Sequence, residues 1–590
     1  MLFSKLTQYF EKLEQTSSRL ILIDILSELF KEVGSSEIAK VVYLIQSRVA
    51  PFYEPIEMGM SEKLIAQSIA RAYGIEKEEV LKEYGKMGDL GLVAENLAGH
   101  PGGQRPIGSR DSIAMLQNDK LTVEDVFKTL TEIAGINGEG TVEKKLNLLS
   151  ELLKKVDSIS AKHLVRIPLG ASRLGIGDPT VLDGFALAKL GDRKRRKDLE
   201  EAYNKTSDLG LIGEVLWSRG LRGVQELNVT VGRPIRSQLA ERLPDAKNIL
   251  EKFGGEAHVQ YKYDGFRIEI HKQGKEVRLF SRNLEETTLM FPEIIRGILK
   301  QIKADSIILD SEAVAFNPQS EEFLPFQETT KRRRKYNIEE MAARLPLKAF
   351  VFDIMYLNNE SLIDLPLRTR MEKLKKVITG DEVLIAQPGE FTKSEKRIIE
   401  LFDDAITKGL EGLVCKRPDS KYEAGARNFN WVKLKRHSAG ELKDTIDCVI
   451  LGYIFGKGKR AGFGAGSLLV GVYDESKDEF VTISKIGTGL TDEEWREIHK
   501  RADKIKVDHK PARVNSILNP SVWIKPEIVI EVLADEITRS PVHTAGKKGS
   551  EPGYALRFPR LVKFREADKR AEDSTTVSEL KEMYELQFKR

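Results

Sequence analysis

Apolar residues recur three and four positions apart from residue 1 to about 230, and beyond that point they alternate with polar ones. Ser18 to Phe30, Ser61 to Tyr73 and Val142 to Val156 carry the helical spacing, which predicts amphipathic helices. Thr122 followed by Asp125 predicts a capping box opening a helix over Val123 to Ala134. Asp89-Leu-Gly-Leu-Val-Ala-Glu-Asn-Leu97 is echoed by Asp208-Leu-Gly-Leu-Ile-Gly-Glu-Val-Leu216. The echo suggests two related helical halves, each starting a helix with an Asp-Leu-Gly turn. Such starts either offer backbone amides to phosphates or are plain N-caps used twice.

The texture changes near Val229 to Pro234, where Val231-Gly-Arg-Pro-Ile235 reads as a linker. Strand patterns come next at Val259 to Arg282, Ser306 to Phe316, Leu347 to Leu357, Gly412 to Arg417 and Trp431 to Lys435. Helical stretches at Pro292 to Lys303 and Ser394 to Lys408 separate them. This middle region predicts an α+β domain ending near Arg436. From Asp444 onward strands return at Cys448 to Tyr453, Ser467 to Tyr473, Glu479 to Lys485 and Ile528 to Ala534. Capping boxes at Thr491/Glu494 and Thr576/Glu579 open two helices among them. About five short strands and a helix predict a small barrel of the oligonucleotide-binding (OB) kind. The expected architecture is multidomain: an all-α domain over 1–230, an α+β domain over 231–437 and an OB-fold β-barrel with a C-terminal helix over 438–590.

Composition narrows the function classes. A chain of 590 residues with 41% hydrophobic residues supports several folded cores. Its 94 basic and 90 acidic residues nearly balance, so any grip on a polyanion must come from clustering. Asp192-Arg-Lys-Arg-Arg-Lys197, Lys331-Arg-Arg-Arg-Lys335 and Lys457-Gly-Lys-Arg460 are the clustered runs. Two cysteines exclude a disulfide framework and a four-cysteine zinc module. Met1 to Gln15 reads as an amphipathic helix rather than a secretory signal, and no apolar run nears membrane-spanning length. A cytoplasmic protein without a membrane partner is expected.

The chemistry centres on Gln260-Tyr261-Lys262-Tyr263-Asp264-Gly265-Phe266-Arg267. Alternating flanks around Asp-Gly predict a β-hairpin that holds the Lys262 amine at one point. A lysine becomes nucleophilic when burial or a nearby cation lowers its pKa, and Arg267 supplies a fork suited to phosphate or carboxylate. Ser281-Arg282-Asn283 adds a second arginine. Asp310 and Glu312 share one strand face and suit a hard metal or ribose hydroxyls. Phe352 could stack on a base beside the polar Asp353. Glu411 precedes Gly412, and Lys433 and Lys435 share a face. Together these are the groups needed for an amine to attack phosphorus while cations and a carboxylate-held Mg²⁺ neutralise its oxygens.

Lys262-Tyr-Asp-Gly265 with Arg267 resembles the first motif of the covalent nucleotidyltransferases. The later stretches, including Arg557-Phe-Pro-Arg560, Arg565 and Asp568-Lys569, resemble the remaining motifs of ATP-dependent DNA ligases of the archaeal and eukaryotic replicative type. The resemblance runs through the whole chain. It implies that Lys262 is the adenylated residue, that Arg267 and Glu312 contact the ribose, and that Arg282 lies by the nucleotide and the 5′-phosphate of a nick. It further implies that Phe352 stacks on adenine, Gln260 holds the adenine edge, and Arg427, Lys433 and Lys435 meet the phosphates. Glu312 and Glu411 are the implied metal ligands, for Mg²⁺ with Mn²⁺ as a substitute. The last motif would orient pyrophosphate. The implied substrates are ATP and nicked double-stranded DNA, handled by a monomer. A sliding-clamp docking segment is not evident, since the loop Gly99 to Ser112 holds Gln104 but no aromatic pair. Two departures stand out: Gln260 occupies a position where an acidic residue is frequent, and Ala567 interrupts the last motif, which leaves the register of Asp568 and Lys569 open. The alternatives are an mRNA-capping guanylyltransferase or RNA ligase with the same lysyl chemistry, and a non-catalytic DNA-binding clamp.

Overall fold

The computed structural model describes residues 1–590 apart from 17, 100–120, 317–322, 325–328, 330, 333–335, 409, 436–444, 456–464, 488–489, 566–568 and 588–590. Nearly all of the loop Gly99 to Ser112, together with Arg333 to Lys335, Lys457 to Arg460 and Asp568, therefore lies outside the described residues, as does the side chain of Lys435. The chain forms two compact units: Met1–Leu401 with Thr407–Lys433, and Phe402–Ile406 with Leu434–Arg590.

The first unit begins with helices from Phe3–Glu14 to Leu209–Gln225. Their apolar stripes meet in one core that includes Phe10, Leu26, Phe30, Val42, Phe185 and Leu216. The capping box forms as its spacing predicts: Thr122 and Asp125 satisfy each other's backbone amides at the head of Val123–Gly135. The echoed turns are both N-caps. Asp89 accepts from the Gly91 amide at 2.8 Å and Asp208 from the Leu211 amide at 3.0 Å. Each cap carboxylate is also taken by another helix, Asp89 by Arg166 at 3.0 Å and Asp208 by the Tyr43 hydroxyl at 2.7 Å. These helix starts are occupied by their own aspartates, so the plain N-cap reading fits them.

Two sheets come next in the same unit. The strands are β1 (Leu239–Arg242), β2 (Ala257–Lys262), β3 (Phe266–Gln273), β4 (Glu276–Ser281), β5 (Ser306–Ala315), β6 (Leu347–Leu357), β7 (Glu360–Ser361), β8 (Leu384–Ala386), β9 (Gly389–Thr392), β10 (Gly412–Lys416) and β11 (Arg427–Lys435). One sheet runs β1-β11-β10-β2-β9; the other runs β4-β3-β5-β6-β7, with β8 beside β6. Ile235, Ile308, Met355, Tyr422 and Trp431 form a core to which both sheets contribute. Ile268, Leu309 and Val351 pack into the core that the second sheet shares with helices Pro292–Gln301 and Leu367–Val377.

This topology corrects the predicted hairpin. β2 pairs with β9 and β10, whereas β3 pairs with β4 and β5, so Asp264-Gly265 carries the chain from one sheet to the other. The glycine is required by proximity rather than by a turn type: a Cβ on Gly265 would lie 2.2 Å from the Ala313 carbonyl oxygen of β5.

The second unit is rich in sheet. Its strands are β12 (Ile446–Ile454), β13 (Ser467–Asp474), β14 (Glu479–Ile486), β15 (Lys506–Val507), β16 (Val514–Asn515), β17 (Val522–Ile524), β18 (Val529–Leu533), β19 (Glu536–Ser540), β20 (Gly553–Arg557) and β21 (Arg560–Phe564). β12, β13 and β14 form an antiparallel meander, and β12 pairs with β17 and β18 along its other edge. Ten strands among the described residues replace the predicted five or so, because segments of two to five residues are too short to show alternation. The two predicted capping boxes open Asp492–Asp503 and Val577–Leu586.

Candidate active site

Lys262 ends β2, opposite Gly412 of β10. The next residue anchors that strand end: the Tyr263 ring stacks on Phe350 of β6 at 3.8 Å between centroids and 12° between planes. The Glu411 amide donates to the Lys262 carbonyl at 3.1 Å, and the Glu411 carboxylate forms an ion pair with the Lys262 amine. Gly412 makes this possible with φ of 134°, a conformation that side chains disfavour. From the second sheet Glu312 accepts from the Gly265 amide at 3.0 Å. Burial pushes its carboxyl up to about 7, against the opposing pull of Lys262 and Arg267. The two sheets thus bring Lys262, Glu411 and Glu312 to the place where the chain crosses between them.

Arg267 stands opposite Glu312 in the β3–β5 ladder, but its guanidinium is committed to Asp310. Nε donates to one carboxylate oxygen at 2.9 Å and Nη2 to the other at 2.5 Å. Nη1 donates to the Gln238 carbonyl at 2.8 Å and Nη2 to the Tyr422 hydroxyl at 3.4 Å, while that hydroxyl donates to Asp310 at 2.8 Å. Of five N–H groups, four are used among the described residues, which leaves one for a ligand. Asp310 and Glu312 therefore divide their work: one locks the arginine and the other faces the lysine. Spacing alone made them equivalent, and Tyr422, which separates their roles, carries no motif signal.

Phe352 is half-buried, with Arg267 over its ring at 5.3 Å and Trp431 edge-on at 6.0 Å. Lys416, unassigned from sequence, lies beneath: its amine donates to the Phe352 carbonyl at 2.7 Å and sits 4.1 Å from the Trp431 ring centroid. Burial pushes that amine down to about 8. Asp353 is a structural anchor, wholly buried and bound by Arg370 at 2.8 and 3.1 Å.

Gln260 lies on the same face of β2 as Lys262. It is buried, and neither end of its carboxamide has a hydrogen-bond partner among the described residues. Lys433 is half-buried on β11, opposite Arg242 of β1. Arg427 is exposed at the start of β11, opposite Leu239. Since the Arg417 amide reaches the Asn430 carbonyl while Gly412 faces Lys262, Arg427 lies past the end of β10 remote from Lys262. The fold does not gather it with the lysine. Arg282 is exposed after β4 and lines a cleft of about 990 Å³ with Arg48, Arg236 and Asn283. In the second unit the last-motif cations are paired with acids: Arg557 with Glu536, Arg560 with Asp535, Arg565 with Glu531, and Lys569 with Asp447.

Two carboxylates beside a lysine suit Mg²⁺, which takes one or two protein carboxylates and completes its shell with water and substrate phosphates. Glu11, Glu14 and His163 also approach one another, but Lys162 and Arg166 already neutralise Glu14 at 3.3 and 2.8 Å. Chemically, the crossing of the two sheets presents an amine, carboxylates able to take its proton, and a flat aromatic wall: a site for nucleophilic attack on an anionic, base-bearing substrate.

Known proteins point the same way. The family described as "ATP dependent DNA ligase domain" matches residues 237–435, "DNA ligase N terminus" matches 2–186, and "ATP dependent DNA ligase C terminal region" matches 461–569. The probable DNA ligase of Dictyoglomus turgidum is 46% identical over all of this chain and 98% of its own length. DNA ligase 2 of Thermofilum pendens is 41% identical and the DNA ligase of Sulfolobus acidocaldarius 39%, again over the full chain and 98% and 99% of their own lengths. A solved structure described as Pmar-Lig_Pre aligns with 95% of this chain and 99% of its own at a TM-score of 0.52 and 16% identity, a likeness of fold. The chain belongs to the family of ATP-dependent DNA ligases.

Proposed function

We propose that the chain seals nicks in duplex DNA between a 5′-phosphate and a 3′-hydroxyl, with Lys262 carrying the adenylate. The observation that carries this reading is the convergence of the Lys262 amine with Glu411 and Glu312 at the crossing between the two sheets. In the first step Nζ bonds to the α-phosphorus of ATP, the bond to pyrophosphate breaks, and the amine's proton leaves. Glu411, in ion-pair contact with Nζ, is placed to take that proton. In the second step a 5′-phosphate oxygen of the nick displaces Lys262 from AMP. In the third the 3′-hydroxyl attacks the 5′-phosphate phosphorus, AMP departs, and the strand is closed.

Phe352 packs against the base and Gln260 meets its edge. Glu312 and the remaining N–H of Arg267 lie toward the ribose, and Lys433 toward the phosphates. Arg282 contacts the nick phosphate from the cleft it lines. Bound at Glu312 and Glu411, Mg²⁺ would supply charge neutralisation at phosphorus. We assign 1–230 to duplex binding, 231–437 to adenylation and 438–590 to an OB barrel carrying the last motif, in a monomer that meets phosphates rather than base edges. Among the described residues no helix is long and apolar enough to cross a membrane.

Nick sealing on a labelled duplex, compared with ATP, NAD and GTP, tests the reading: ATP supports sealing and NAD does not. Mass spectrometry of the ATP-treated chain finds the adduct on the peptide holding Lys262, and Lys262→Ala abolishes it. Label persisting in that variant would move the nucleophile elsewhere.

A further inference from the structure

Two residues before Lys262, on the same strand face, is a polar group that nothing satisfies among the described residues. Gln260 is 2% exposed, and its Oε1 and Nε2 both lack partners there. A buried carboxamide left unpaired costs free energy at each end, so such a group calls for a partner beyond the described residues, be it solvent, an ion or a ligand. The strands beside Gln260 cannot: its ladder partners are Val414 on β10 and Gly389 on β9. Gly389 packs closely against both residues, because a Cβ there would come within 2.8 Å of Gln260 Cγ and 2.7 Å of His258 Nε2. His258 lies on this face too, and its Nδ1 has no partner among the described residues. Burial pushes its pKa down to about 3, so it brings no charge that would favour one base over another.

We infer that the site around Lys262 accepts 6-oxopurine nucleoside triphosphates as well as ATP, with Gln260 as the residue that reads the base. A carboxamide offers an acceptor and a donor side by side. Adenine presents a donor at N6 beside an acceptor at N1, which match Oε1 and Nε2. Hypoxanthine and guanine present an acceptor at O6 beside a donor at N1, which match the same two atoms with the amide turned over. Neither end is tethered by the described residues, so the turn breaks no bond among them. A carboxylate at this position could only accept and would lack that freedom. The inference rests on the nucleotidyl-transfer reading of Lys262, and the experiment separates the two.

The full chain is incubated with α-labelled ATP, ITP or GTP, and kcat/KM for covalent labelling is compared. At least one of ITP and GTP falls within about thirtyfold of ATP, less than the loss of a good bidentate base contact would produce at its upper range. Gln260→Met, nearly isosteric and unable to hydrogen bond through nitrogen or oxygen, lowers labelling by ATP and by the accepted 6-oxopurine by similar factors of roughly ten or more. Strong ATP labelling with both ITP and GTP weaker by more than about thirtyfold would overturn the inference and leave the lysyl-adenylate reading intact. So would a Gln260→Met variant that loses one nucleotide alone. No labelling of the unaltered chain by any of the three would remove both. The comparison in the unaltered chain does not depend on how the variant folds.

Discussion

Replacing Gly265 with alanine would drive a methyl group into the backbone of β5. The added Cβ would stand 2.2 Å from the Ala313 carbonyl oxygen, 2.9 Å from its carbonyl carbon and 2.9 Å from Val314 Cγ2. An ordinary contact needs roughly 1 Å more than the shortest of these, and two of the three atoms are backbone, so the crossing segment itself must move. Overpacking of this kind costs about 1–3 kcal/mol. The same movement stretches the 3.0 Å bond from the Gly265 amide to Glu312, and a buried acceptor and donor left short of each other add about 1–3 kcal/mol. A total of about 2–6 kcal/mol is expected in a denaturant titration. The catalytic effect is larger in proportion, since Lys262 lies three residues away and a misplacement of about 1 Å costs on the order of a hundredfold in rate. Quench-flow measurement of lysyl-AMP formation reads that loss. Gly85→Ala is the control: Gly85 sits within helix Lys77–Met87 with nothing within 4 Å of a new Cβ, so alanine there is neutral or stabilising by about 0.5–1 kcal/mol. A Gly265→Ala chain with control-like stability and undiminished adenylation would refute the argument that the two sheets meet too closely there for any side chain.

Three further outcomes are expected from the geometry. Asp310→Ala strands the Arg267 guanidinium without its carboxylate, and a loss of about 3–5 kcal/mol in denaturant stability is expected; a loss below about 1 kcal/mol would show that the pair is not what holds the arginine. His258 stays neutral in the folded chain down to about pH 3, whereas unfolded chains take up its proton near about 6.5. The unfolded state therefore binds more protons below that value, and stability falls with pH. Between about pH 7 and 5 this amounts to about 2 kcal/mol, and His258→Leu should lack that component when the two denaturation profiles are compared. Arg193, Lys194 and Lys197 are exposed; changing all three to glutamine should weaken nicked-duplex binding and reduce the slope of log K against log salt by up to about 3, and an unchanged slope would make the run a solvated face.

Periodicity and spacing by themselves determined the helical first part, the strand-rich remainder and the three capping boxes, because each of those signals is complete within a dozen neighbouring positions. Partner choice was decided by the tertiary structure. Asp-Gly reads locally as a hairpin, yet β2 and β3 bond to different sheets, since the strands that claim them come from as far away as Gly412–Lys416. Asp310 and Glu312 look alike in sequence and are set apart by Tyr422, 112 residues from Asp310. The echoed Asp-Leu-Gly turns read as phosphate sites or caps until Arg166 and Tyr43 arrive from other helices. Hydrogen bonds and ion pairs act over a few ångströms, and only the folded chain brings residues so distant in sequence within that range.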